Sequence, residues 1–175
     1  MVQQEQDVRL DTVYGGWARY QKMLKEMIAP LSDEQLATPV SSDEWTIGKV
    51  AQHIIGNRVW WFHLWMGQGS ADLAPIMQWD PGDSEEPPTL NAAALVEGLD
   101  STWEMVADAL ASWTPADLAE VFPAPSALSE REQEFFGSNS RQWIIWHVFE
   151  HEIHHGGEIS LVLGNMGLPG IYGGF

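Results

Sequence analysis

The stretch HVFEHEIHHGGEI, residues 147–159, carries four of the chain's six histidines within nine positions: His147, His151, His154 and His155. Apolar residues recur around them at helical spacing, at Ile144, Val148, Ile159 and Val162. At about 100° per residue, with His147 at zero, His151 lies at about 40°, His155 at about 80° and His154 at about −20°. Ile144 and Val162 fall at about 60°, Val148 at about 100° and Ile159 at about 120°. His151 and His155 therefore occupy the middle of the core-facing stripe, with His147 and His154 at its edge. Histidines four apart on a helix stand about 6 Å apart at Cβ, so both rings can chelate one ion. Two buried imidazoles without a shared partner would leave polar nitrogens unsatisfied. A metal ion resolves that; so would hydrogen bonds to neighbouring side chains.

The same periodicity predicts a helix from near Ser140 to about Gly164, and three more precede it. The first runs from about Val8 to Ile28, with Leu10, Val13, Tyr14, Trp17, Tyr20 and Leu24 as its apolar residues, and Ala29-Pro30 ends it. The second opens at Thr46, an N-cap residue, and continues to about Met66, where Gly67 and Gly69 stop it. The third begins after Thr89 and runs to about Trp113. Residues 67–88, with Pro75, Pro81 and Pro87 ahead of Pro88, read as a long surface crossover, and the tail from Gly167 to Phe175 holds too much glycine to continue a helix. Sustained two-residue alternation is missing, so strands are not expected. At 175 residues the chain suits one domain over 1–175, an all-α four-helix bundle with one long crossover. Ser32-Asp33-Glu34-Gln35-Leu36-Ala37 and Thr114-Pro115-Ala116-Asp117-Leu118-Ala119 echo each other as capped turns ahead of the second helix and the fourth.

A third ligand should come from a facing helix. Relative to His53, Trp60 lies at about −20°, Leu64 at about 20°, Asn57 at about 40°, Val50 at about 60° and Trp61 at about 80°. His53 thus shares the bulky inward face, whereas His63 sits some 80° away at the edge. Three imidazoles without a fourth protein ligand describe an open site, the kind that activates water or binds a substrate atom. Glu150, Glu152 and Glu158 can orient ligand rings or act as a base, although each also suits a solvated helix surface. Glu152, Glu158 and His147 are the candidates for proton transfer. Gly156-Gly157 inside the helix costs on the order of 1 kcal/mol per glycine relative to alanine, implying a close helix contact or a gap through which a ligand passes.

Composition narrows the remaining choices. Cysteine is absent, which excludes disulfides, thiolate ligands and a cysteine nucleophile. A net charge of −17 repels phosphate backbones and anionic lipid, so neither nucleic acid nor membrane is an expected partner. No signal peptide is visible in the acidic N-terminus, and the apolar run Val59 to Met66 is far below the ~18 residues of a spanning helix; a cytoplasmic location is expected. Ten tryptophans imply an aromatic interior or pocket wall, with Trp60, Trp61 and Trp146 the candidates to hold a small-molecule substrate.

His151-Glu152-Ile153-His154-His155 matches HExxH, but Glu158 and Leu161 stand where the extended zinc-peptidase motif needs Gly and His. Glu152-x-x-His155 is half of a di-iron bundle motif whose second half is missing around His53.

The chain resembles the DinB-like superfamily, which includes YfiT-type hydrolases and thiol-dependent S-transferases. The resemblance rests on Trp45-Thr46-Ile47-Gly48 leading to His53, on residues 147–159, and on Gly167-Leu168-Pro169. It implies a four-helix bundle, often dimeric, with His53, His151 and His155 as metal ligands, the set the helical phases also select. It further implies zinc or nickel, and activation of a low-molecular-weight thiol or of water for transferase, isomerase or hydrolase chemistry. The rival expectation is a non-catalytic stress-response protein whose ion is structural. Where the family often reads His-Arg-Gly-Gln, this chain has His155-Gly156-Gly157-Glu158, which changes the charge beside the site.

Purified protein is expected to carry about one equivalent of divalent metal. Elemental analysis should find it lost from both His53→Ala and His151→Ala; full metal content in both would remove the three-ligand site.

Overall fold

Side-chain oxygens set the starts of three long helices. The computed structural model describes residues 8–40, 45–82 and 84–173; most of the acidic N-terminus, read above as lacking a signal peptide, lies outside them. Thr46 Oγ1 accepts from Lys49 N at the start of α4 (Ile47–Arg58), as expected for an N-cap. Asn91 does the same for α5 (Ala92–Ser112), and Ser140 for α7 (Arg141–Asn165). The first expected helix is broken in two, α1 (Leu10–Val13) and α2 (Gly15–Ile28). Gly15 and Gly16 follow the break at Tyr14, where the absence of side chains weakens helical continuity.

Helices α2, α4, α5 and α7 form the expected bundle. The echoed turns are indeed capped. Ser32 and Gln35 cap α3 (Asp33–Leu36) reciprocally, and the Asp117 carboxylate accepts from Thr114 N and Oγ1 around the 3-10 turn Pro115–Ala119.

Three features depart from the sequence reading. The second helix does not stay α-helical to Met66, because Val59–Trp65 winds as a π-helix. That winding brings Trp60 and Trp65 to 5.7 Å, a pair that an α-helix would set about 140° apart. The crossover contains a 3-10 helix, Ala71–Trp79. Strands also occur: β1 (Val121–Pro123) pairs antiparallel with β2 (Ser138–Ser140), pinching off α6 (Glu130–Phe136). At three residues each, they are too short to show alternation.

Two apolar clusters fill the bundle. One gathers Leu24, Ile54, Ile55, Leu95, Leu99, Ile159 and Leu163; the other Trp17, Val59, Phe62, Val106, Leu110, Ile144 and Val148. Along all four helices a polar layer falls between them. Arg58 is wholly buried, with Nε donating to Glu152 Oε1 at 2.6 Å and Nη2 to Oε2 at 2.9 Å. Nη2 also reaches Gln21 Oε1 at 2.6 Å, while Nη1 donates to Leu99 O at 3.1 Å and Thr102 Oγ1 at 3.3 Å. Trp17 Nε1 completes the carboxylate, donating to Glu152 Oε2 at 2.8 Å. Glu152 is therefore no solvated surface residue.

Gly156 answers the glycine question for one position. A Cβ there would collide with the Tyr20 hydroxyl, which donates to Glu152 O at 3.0 Å, so α2 and α7 need that glycine to approach. Gly157 faces open space.

Removing one charge of the buried pair strands the other. Arg58→Met is expected to cost about 3–5 kcal/mol in urea unfolding, with much of that recovered in Arg58→Met/Glu152→Leu. A single-variant cost below about 1 kcal/mol would show that the pair is not holding the helices.

Candidate metal centre

His53 is carried by α4, five residues before Arg58, and His151 and His155 by α7, flanking Glu152 in sequence. The ring centroids stand 4.6 Å (His53–His151), 4.9 Å (His53–His155) and 4.4 Å (His151–His155) apart. His53 Nε2 and His151 Nε2 approach to 2.8 Å, and one nitrogen from each of the three rings lies within 4.8 Å of the others. Ligands at about 2.0–2.1 Å from a tetrahedral ion are separated by roughly 3.3 Å, so a small closure of His155 onto the other two completes a three-nitrogen cradle.

Carboxylates behind two of the rings choose their tautomers. Asp80 places both oxygens 2.8 Å from His53 Nδ1, so that nitrogen must donate and Nε2 keeps its lone pair for the centre. Glu158 Oε2 does the same for His155 Nδ1 at 2.7 Å. His151 has no such support; its Nδ1 is buried without a hydrogen-bond partner among the described residues. Burial, reinforced by His53, His155 and the other neighbouring histidines, pushes His151 down to about 2, and burial also lowers His155. Neutral imidazoles at neutral pH are ligands, not cations, and the donor set fits a divalent ion of borderline softness.

Asp80 lies on the crossover, and residue patterning did not single it out. Its seat is cut by two glycines. A Cβ on Gly56 would come within 2.8 Å of Asp80 Cβ, and one on Gly98 would strike the Trp79 ring. Gly82 N donates to Asp80 Oδ1 at 2.8 Å, an Asx-type turn that the Asp-Pro-Gly run favours. That run was the available signal, but the turn carries no information about which helix it covers.

A cleft of about 310 Å³ opens beside the cradle, lined by Asn57, Trp60, Trp61, Phe136 and His147 together with His53, His151, Asp80 and Gly82. His147 is on the cleft, its ring stacked on Trp143 at 4.8 Å and 14° and its pKa lowered by burial against the opposing pull of Glu150. Of the other proton-transfer candidates, Glu158 braces His155, while Glu152 has both oxygens engaged in the ionic layer and does not reach the cleft. Trp60 and Trp61 line the cleft, but Trp146 does not; it is 61% exposed on the outer face of α7. His63 binds Gln68 O at 2.7 Å through Nδ1, away from the cradle, and His154 is mostly exposed beside Glu158.

The model of the DinB superfamily matches residues 17–159, a span that includes His53, His151 and His155. A DinB-like protein from Bacillus cereus ATCC 10987, known from its crystal structure, is similar at 22% identity and a TM-score of 0.63, with 94% of this chain and 98% of that chain covered. At that identity the likeness speaks for the fold. No curated protein matches the sequence.

If the carboxylate behind His53 sets ligand basicity, Asp80→Ala should weaken metal binding by about 10–100-fold in competition titrations. Unchanged affinity would show that Asp80 serves only the turn.

Proposed function

The chain belongs to the DinB superfamily, and from that premise we propose that it is a metal-dependent enzyme of S-transferase or hydrolase type. The observation that carries the reading is the convergence of three imidazoles, two backed by carboxylates, at the edge of an aromatic-walled cleft. His53, His151 and His155 would hold a divalent ion such as zinc or nickel, which would supply Lewis acidity to lower the pKa of a low-molecular-weight thiol or of water.

The chain's own groups divide the remaining work. Asp80 holds His53 in one tautomer and orientation, and Glu158 does so for His155. His147, neutral and on the cleft, is placed to accept a proton from the incoming nucleophile. Trp60, Trp61 and Phe136 keep water from the substrate's apolar part. Asn57 Oδ1, buried and without a partner among the described residues one turn from His53, gains one when a donor enters. Assembly as a homodimer is supported by the apolar outer stripe of α7, where Trp146, Ile153 and Leu161 are exposed. No helix among the described residues is long and apolar enough to cross a membrane.

The rival reading, an ion that only braces the bundle, differs in coordination. Imidazole added to cobalt-loaded protein is expected to shift the visible d–d bands, and His147→Ala to keep full metal content. A spectrum indifferent to imidazole, with a large fall in melting temperature on chelation, would favour a structural ion.

A further inference from the structure

The cleft has an unusual balance of charge and aromaticity. Trp60 packs edge-on against Trp61 at 4.6 Å and tilts against Phe136 at 5.0 Å, and the wall continues from Trp61 to His147 at 5.2 Å. Three separate elements build it: the π-helical turn aims the tryptophans, α6 brings Phe136 from beyond the strand pair, and α7 brings His147.

No lysine or arginine lines the cleft among the described residues. Arg58 and Arg141, both close in sequence to lining residues, are spent elsewhere, Arg58 in the ionic layer and Arg141 on Glu120 and Asp117 O. The fixed charge that does line it is the buried carboxylate of Asp80, inside a chain of net charge −17. The two positive charges of a divalent ion there are offset by a bound thiolate and by Asp80, so a further anionic group would find no uncompensated cation, whereas a planar ring would meet offset and edge-on partners. At about 310 Å³ the cleft is near the lower end of the roughly 300–1,000 Å³ typical of ligand sites, room for a small ring system.

We propose that the cleft selects substrates that present an uncharged planar ring to Trp60 and Phe136, and that it turns away carboxylated or phosphorylated ones. This rests on the reading that the three histidines hold a metal with an open position. The test uses cobalt-loaded protein and three thiol probes, followed by the sulfur-to-cobalt charge-transfer band. Benzyl mercaptan carries a neutral ring, 2-mercaptoethanol is neutral without a ring, and 3-mercaptopropionate is anionic.

Benzyl mercaptan is expected to bind about tenfold tighter than 2-mercaptoethanol, and 3-mercaptopropionate about tenfold weaker. Trp60→Ala should erase most of the first difference. Phe136→Lys, which places a cation on the rim without emptying the core, should raise 3-mercaptopropionate affinity by about tenfold. Circular dichroism melts of both variants establish that they fold, and Phe136→Lys carries the test if Trp60→Ala does not. Cobalt binding with three thiol affinities within about threefold of one another overturns the selectivity while leaving the metal reading intact. Failure to bind cobalt overturns both.

Discussion

Arg58 and Glu152 meet in the middle of the bundle with both side chains buried, and the geometry of everything around them follows from that pairing. Isolated burial of either charge would cost several kcal/mol, so the pair persists only because its hydrogen-bonding capacity is met from every side. Gln21 and Trp17 come from α2, Leu99 O and Thr102 from α5, and the carboxylate from α7. A rotation of any one helix by a few tens of degrees would leave a buried donor or acceptor empty. The ionic layer therefore sets helical phase, and helical phase sets the metal centre. His151 precedes Glu152 by one residue and His53 precedes Arg58 by five. The two helices that turn a charge toward each other on one side must turn imidazoles toward each other on another.

The centre itself is assembled from unequal parts. His53 and His155 arrive with carboxylates that choose their tautomers; His151 is held by burial and by the close approach of its neighbours. Rigid helices supply the ligands, while the crossover and the strand-bounded α6 supply Asp80 and Phe136. That division separates the histidine cluster from the carboxylate behind His53 and from what shapes the cleft. Changes in the crossover or in α6 can reshape the cleft without moving the three histidines, because the histidines are phased by the core.

Much of this was legible in residue order. The i, i+4 spacing of His151 and His155 and the inward phase of His53 follow from the 3.6-residue period, a local property of the chain. So does the cap at Thr46, where a side-chain oxygen acts three residues away. The wide aromatic winding of Val59–Trp65 was not legible, since the same residues also satisfy an α-helical pattern and only their packing decides between them. Glu152 read as a surface acid or a base because nothing near it in sequence announces Arg58, 94 positions earlier.

What residue order alone determined is thus the set of helices, the three imidazoles and the absence of competing thiolates. Tertiary structure decided which carboxylates serve the centre, that Glu152 belongs to the core, that Trp146 faces away from the cleft, and that Phe136 completes its wall. The reason is one of range. Periodicity and capping act within about four residues along the chain. Asp80 reaches His53 across 27 residues and only after Gly56 and Gly98 have let Trp79 and Asp80 settle on the bundle. Contacts of that kind exist once the helices have docked, and docking is governed by the buried ion pair.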